Sequence, residues 1–390
     1  MINNITGSPV EGANFFGREK ELDHAWNSIK KGNSLILSAP RRVGKSSFAK
    51  KMLNTAKGEG WNVLEINLEE IKSEEGFVKK FIDHLTQQSW WNKVKSESGE
   101  KLEKILSSIK TSIEFGGAQA SLEWKSNKSD VYEKLKSLIE HDKETLIMVD
   151  ELTVLLSSFL ENDSENGKKN AEFFLNWLRS FRQVSGTKIR WIFCSSIGID
   201  NFTNQHNLSY TFNDVNSFPL GAFTPLQANE FVQELAVSEN LIFSDEISDY
   251  ILEKIGWLLP YFIQILFSKI NHLIKVNDRL ICIETVDEAY NQLIDEKNLN
   301  TWEERLNDYG DLEIYARELL KKMSMNKEGE SRNSLFSVLN SKINDSDKTE
   351  TLINKLLYML KNDGYLVDDE IKYAFRSPLL RDFWFNRFVK

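Results

Sequence analysis

An α/β fold built on a parallel sheet is the class this sequence predicts, and three observations predict it. Asn33–Lys50 (NSLILSAPRRVGKSSFAK) passes from an apolar run through a short loop into a helical pattern. Thr145–Glu151 (TLIMVDE) is an apolar run that ends in two acids. Lys188–Cys194 (KIRWIFC) is a third such run, followed by Ser195-Ser196-Ile197-Gly198. Short, continuous apolar runs suit strands covered on both faces, which is the habit of parallel sheets.

The elements follow in chain order. Phe15–Leu22 (FFGREKEL) precedes a helix running to about Lys30. Arg18 and Glu21 are placed to fix loop geometry beside a base, and two readings stand for Phe16: packing on an adenine ring or packing in the core. Ser34–Ser38 is the first strand. The loop that follows, Ala39-Pro40-Arg41-Arg42-Val43-Gly44-Lys45-Ser46, opens onto a helix that begins near Ser47 and continues to Ala56. Strand, loop and helix in that order are the context a phosphate-gripping loop requires. Amides around Val43–Ser46 face the phosphates at the helix N-terminus. Lys45 is expected to reach the β/γ-phosphates and the Ser46 hydroxyl to ligate magnesium. The pattern usually opens on glycine. Here Ala39 holds that place, and alanine tolerates a positive φ less well.

Asn62–Asn67 (NVLEIN) is a strand ahead of the acids. At the end of the central strand Asp150 is expected to hold the magnesium water shell, and Glu151 to orient or polarise the attacking water. Ser195 or Ser196, after the next strand, stands where a polar group senses the γ-phosphate, although serines after strands also form turns. A short strand near Ser217–Leu220 makes five. The expected cofactors are ATP or ADP and Mg2+.

The chain has 390 residues, so two or three domains are expected. We expect an ATPase core over residues 1–222, a helical lid over 223–310 and a winged-helix-like domain over 311–390. Ile109–Trp124 (IKTSIEFGGAQASLEW) reads as a β-hairpin insertion turning at Gly116-Gly117. In the lid, Gly256 to Pro260 interrupts the helical pattern, and proline introduces the next helix. In the last domain three helices precede a small hairpin, Gly364–Val367 with Ile371–Phe375, turning at Asp368-Asp369.

Net charge is -9, which gives no bulk attraction to nucleic acid or anionic membrane. Basic and acidic residues nearly cancel over 311–390, and the hairpin tip is acidic, the wrong sign for tracking phosphates. The two cysteines, Cys194 and Cys282, show no metal-ligand spacing and no disulfide framework. No apolar stretch is long enough to span a bilayer and no secretion signal opens the chain, so a cytoplasmic location is expected.

With these pieces laid end to end, the chain resembles the AAA-like, archaeal-type ATPases near the STAND branch of the AAA+ class. FFGREKEL, APRRVGKSS, MVDE and the glycine-centred IEFGGAQASLEW carry the resemblance. It implies an ASCE-type sheet ordered 5-1-4-3-2, a helical lid and a C-terminal winged helix. By position it implies adenine-side roles for Phe16, Arg18 and Glu21, and nucleotide and magnesium roles for Ala39 to Ser47, Asp150 and Glu151. It further implies a sensor at Ser195 or Ser196 and a lid contact at Pro260. One departure stands out. Gly198–Phe218, where AAA+ motors carry an arginine finger, contains no arginine or lysine. Arg41, Arg42, Arg179 and Arg182 remain as candidates. A missing finger slows turnover by roughly 10³–10⁵ in GTPases. The expectation is therefore a slow ATP-hydrolysing switch that acts on a protein partner or self-associates on binding ATP, in signalling or defence. The alternative is an ATPase bound to duplex DNA through its winged helix.

Overall fold

A computed structural model describes residues 2–98, 100–114, 118–139, 143–163, 165–195, 198–295, 297–369 and 371–390. By its packing the chain divides into two compact units. One comprises residues 18–38 and 48–219; the other comprises residues 1–17, 39–47 and 220–390.

The first unit is organised by a five-stranded, all-parallel sheet. Its strands are β1 (Leu35–Ser38), β2 (Asn62–Asn67), β3 (Thr145–Asp150), β4 (Ile189–Phe193) and β5 (Asn216–Pro219). They are ordered β2-β3-β4-β1-β5, which read from the other edge is the expected 5-1-4-3-2. Every residue of β3 is buried, as its unbroken apolar sequence requires. The register sets Asn67 of β2 beside Asp150 of β3. A large aromatic core backs the sheet. Phe77 meets Phe174 edge-on at 4.8 Å, Tyr132 meets Trp177 at 4.8 Å, and Phe181 leads on to Trp191 of β4 at 5.4 Å. Edge-to-face pairs of this kind add about 0.5–1.5 kcal/mol each beyond the area they bury.

The expected hairpin insertion is overturned. Residues 109–114 close a helix, Glu100–Glu114, and residues 118–124 open another, Ala118–Ile139. The glycine pair lies outside the described residues. The physical reason is the apolar spacing: Leu102, Ile105, Leu106 and Ile109 recur every three or four residues, and Leu102 and Ile109 are buried. That period is helical and continues into the segment read as alternating.

In the second unit, helices Pro225–Ser238, Asp245–Ile255, Pro260–Val276 and Ile283–Asp295 come first. Thr224 and Gln227 form a reciprocal capping box at the first of them. A C-terminal module follows, with helices Glu313–Ser324, Arg332–Ile343, Ser346–Asn362 and Pro378–Phe388. Its strands β6 (Glu330–Ser331), β7 (Leu366–Asp368) and β8 (Lys372–Phe375) form an antiparallel sheet ordered β6-β8-β7. One aromatic row runs through the unit: Trp257 to Trp302 at 5.9 Å, Trp302 to Tyr365 at 5.4 Å, and Tyr365 to Trp384 at 6.2 Å. The Ser377 hydroxyl donates to the carbonyl of Ile255, tying the last helix to the helical segment.

Candidate nucleotide-binding site

The loop Ala39–Ser47 belongs to the second unit. The helix after it begins at Lys45 and has no acid in its first turn. Its N-terminal amides therefore meet no competing carboxylate of their own turn, an arrangement that favours anions. The Lys45 Nζ donates to the carbonyls of Ala39 (2.8 Å) and Pro40 (2.9 Å), so the ammonium is held over the loop's first residues. The positive φ values fall on Arg42 (64°) and Gly44 (96°), and Ala39 is not among such residues. Alanine at the opening position thus demands no unfavourable backbone, which removes the conformational cost anticipated from the sequence. Val43 is buried. Arg42 lies 4.4 Å above the Tyr261 ring and donates to the Gly7 carbonyl. Ser47 Oγ accepts from the amide of Val10 at 2.9 Å, strapping the N-terminal segment to the loop. Arg41 is near enough to Tyr365 for its charge to oppose the rise that burial imposes on that phenol.

Phe16 packs on Phe231 (5.2 Å) and Phe223 (6.0 Å), so its described contacts follow the core reading. Gln227 Nε2 donates to the Gly17 carbonyl at 2.6 Å, holding the FFG stretch against the start of that helix. Pro260 is the first residue of its helix, and Gly256 caps the preceding one at φ 67°.

The acids belong to the first unit. Asp150 is buried at the end of β3, and its Oδ1 accepts the amide of Glu151 at 3.0 Å. Glu151 is left-handed (φ 56°, ψ 38°) and caps helix Leu152–Asn162. A glutamate in that region costs on the order of 1 kcal/mol and persists only where its surroundings impose it. The surroundings here are specific: the Leu152 amide donates to the Cys194 carbonyl, and the Thr153 amide donates to Ser195 Oγ at 3.3 Å. Ser195 Oγ also lies against Thr153 Oγ1 and 3.5 Å from Glu151 Oε2. The sequence-predicted serine and the second acid are therefore brought together. Ser196 lies outside the described residues. Arg18, buried, donates to Glu21 Oε1 at 3.4 Å, and burial lowers its pKa against the raising effect of that carboxylate. Two finger candidates are committed elsewhere. Arg182 donates from Nε to Asp214 (2.7 Å) and from Nη2 to the Thr211 carbonyl (2.6 Å), and Arg179 lies 3.8 Å from the same aspartate.

No protein-family model and no curated protein matches the chain. Solved structures do. The Walker-type ATPase PABY2304 of Pyrococcus abyssi superposes with a TM-score of 0.61 at 15% identity, over 98% of this chain and 99% of that one. The ORC2 protein of Aeropyrum pernix, solved in ADPNP–ADP complexes, gives a TM-score of 0.51 at 12% identity over 95% of each chain. The fold is that of the AAA+ ATPases. In this AAA+ fold two residues near the acids were missed by sequence reasoning. Thr153 is fully buried on the helix that follows the acids, and Asn67 ends the neighbouring strand. The first has a weak signal, a hydroxyl two residues past the acid pair. The second is visible only once the register is known.

Proposed function

We propose that the chain binds ATP with magnesium and hydrolyses it slowly, and that the nucleotide state controls a protein partner through the helical lid and a winged-helix C-terminal module. The observation that carries the reading is the loop: an ammonium fixed by two loop carbonyls beside a helix N-terminus that carries no acid. The Ser46 hydroxyl and the Asp150 carboxylate are hard oxygen donors, the kind magnesium takes alongside phosphate oxygens. Among the described residues, no group of three or more His, Cys, Asp or Glu offers an all-protein metal cage. Glu151 is the residue we assign to orienting water. Slow turnover follows from the absence of arginine and lysine in 198–218 and from the engagement of Arg182 with Asp214.

A protein partner is favoured over duplex DNA because cations of the module face its own acids. Lys348 pairs with Asp345, Lys361 with Asp368 and Arg332 with Glu350. The decisive measurement is ATP turnover and fluorescent-ATP binding for the wild type, Lys45→Ala and Glu151→Gln, with and without duplex DNA. We expect lost binding in Lys45→Ala, and retained binding with turnover lowered at least tenfold in Glu151→Gln, since acid–base groups contribute about 10²–10⁴-fold. Unchanged turnover in Glu151→Gln would remove its assigned role. Salt-sensitive binding of duplex with stimulated turnover would replace the protein-partner reading with the DNA-associated one.

A further inference from the structure

Pro40, one of the two loop residues that hold Lys45, is itself backed by the C-terminal module. Gly364, at φ +85°, turns the chain from helix Ser346–Asn362 into β7. A β-carbon added there would lie 2.6 Å from Trp257 Cη2 and 2.9 Å from both Cβ and Cγ of Pro40. No real side chain tolerates such distances, so the Gly364 backbone, the indole and the proline ring already fill the space. The turn is firmly anchored. The Gly364 amide donates to the Lys361 carbonyl, and the Tyr365 amide to that of Leu360. Asp363 is buried and accepts from Arg305 (2.6 Å) and from the Tyr309 hydroxyl (2.8 Å). Removing one partner of a buried pair leaves the other charge uncompensated, so the anchor resists displacement.

The chain of contacts is short. The turn backs the Pro40 ring, and the Pro40 carbonyl accepts from Lys45 Nζ. We infer that Gly364 and Trp257 are positioning residues for the phosphate loop, setting the place of the Pro40 carbonyl and through it the Lys45 ammonium. The inference rests on the nucleotide-binding reading above. It adds that the module is part of the nucleotide site, and that nucleotide affinity and the seating of the 363–365 turn are coupled. Coupling of this kind is reciprocal, so bound nucleotide must steady the turn as much as the turn steadies the loop.

The test uses the full chain, fluorescent ATP with Mg2+, and the variants Gly364→Ala, Pro40→Gly and their combination. Gly364→Ala is expected to weaken binding about tenfold, within the usual range of coupled sites. Pro40→Gly is expected to weaken it as well, and adding Gly364→Ala in that background should weaken binding little further, because the clash that remains, with Trp257, no longer reaches the loop through the proline ring. Effects that multiply, or a folded Gly364→Ala variant that binds like the wild type, would overturn the inference. Should Gly364→Ala lose its helical circular dichroism, Trp257→Phe takes its place in the same cycle, removing the Cη2 contact while leaving the turn intact. A second readout is amide exchange: ATP should slow exchange at Gly364 and Tyr365 in the wild type and fail to do so in Lys45→Ala. Unchanged exchange in the wild type would equally overturn it. A wild type that binds no ATP defeats the nucleotide reading instead, so the two failures are distinct.

Discussion

Glu151 shows what a single residue can hold against its own preference. Its left-handed backbone would suit glycine, yet a glutamate stands there, hemmed in by Ser195, Thr153 and the Leu152–Cys194 hydrogen bond. Strain of this kind at a charged residue fits the water-orienting role proposed for it. Glu151→Gly should therefore be more stable than Glu151→Ala by about 1 kcal/mol, since only the alanine keeps the strain. Both should lose turnover. Thermal melts of the two variants decide it, and equal melting temperatures would mean that the backbone relaxes on loss of the carboxylate. The opposite lesson comes from Ala39. Its replacement of the usual glycine looked costly, but the loop places its positive φ at Arg42 and Gly44 instead.

At the level of elements, much was legible. Strands β1, β3 and β4 were readable because a buried parallel strand is a short apolar run, and the acids follow a strand while the lysine opens a helix, both places that local sequence marks. Helix Pro378–Phe388 opens on its proline, where the missing amide leaves no intrahelical bond unmade. Residues 109–114 and 118–124 were misread as strands because apolar and polar residues alternate locally there, while the spacing of Leu102 to Ile109 carried the helical period. The support of the loop by Gly364 was not legible at all: nothing local to residue 40 or 364 announces a partner on the far side of the sequence. Another such contact lies at Gly256, where a β-carbon would come within 2.3 Å of Pro378 Cδ. Gly256→Ala should destabilise the chain by roughly 1–3 kcal/mol, the usual cost of overpacking. Pro378→Ala should recover part of that loss in the double variant. Additive losses in chemical denaturation would show that the positive φ alone, and not the crowding, sets the cost.

The molecule as a whole carries a set of buried phenols. Tyr132 lies in one unit and Tyr290, Tyr309 and Tyr365 in the other, and burial raises the pKa of each above the ordinary 10.0. The folded state thus keeps protons that the unfolded chain releases. Stability from these groups is complete below about pH 10 and falls as the pH climbs from there toward the folded-state values. The share of phenolate absorbance that phenylalanine substitution at Tyr132, Tyr290, Tyr309 and Tyr365 removes should therefore appear only with the loss of helical circular dichroism in alkali. That share appearing well before the helices melt would contradict the burial of these rings. The Pro40–Gly364 contact has a consequence of another kind, in time. Ribosomes add about 5–20 residues per second, so the phosphate loop emerges on the order of tens of seconds before the turn that backs it. Through that interval the nascent chain has a strand, a loop and a lysine, but no buttress beneath its proline. Its grip on nucleotide should mature late, only once residue 364 has emerged, and a chain stalled before residue 364 would carry a complete motif and an unfinished site.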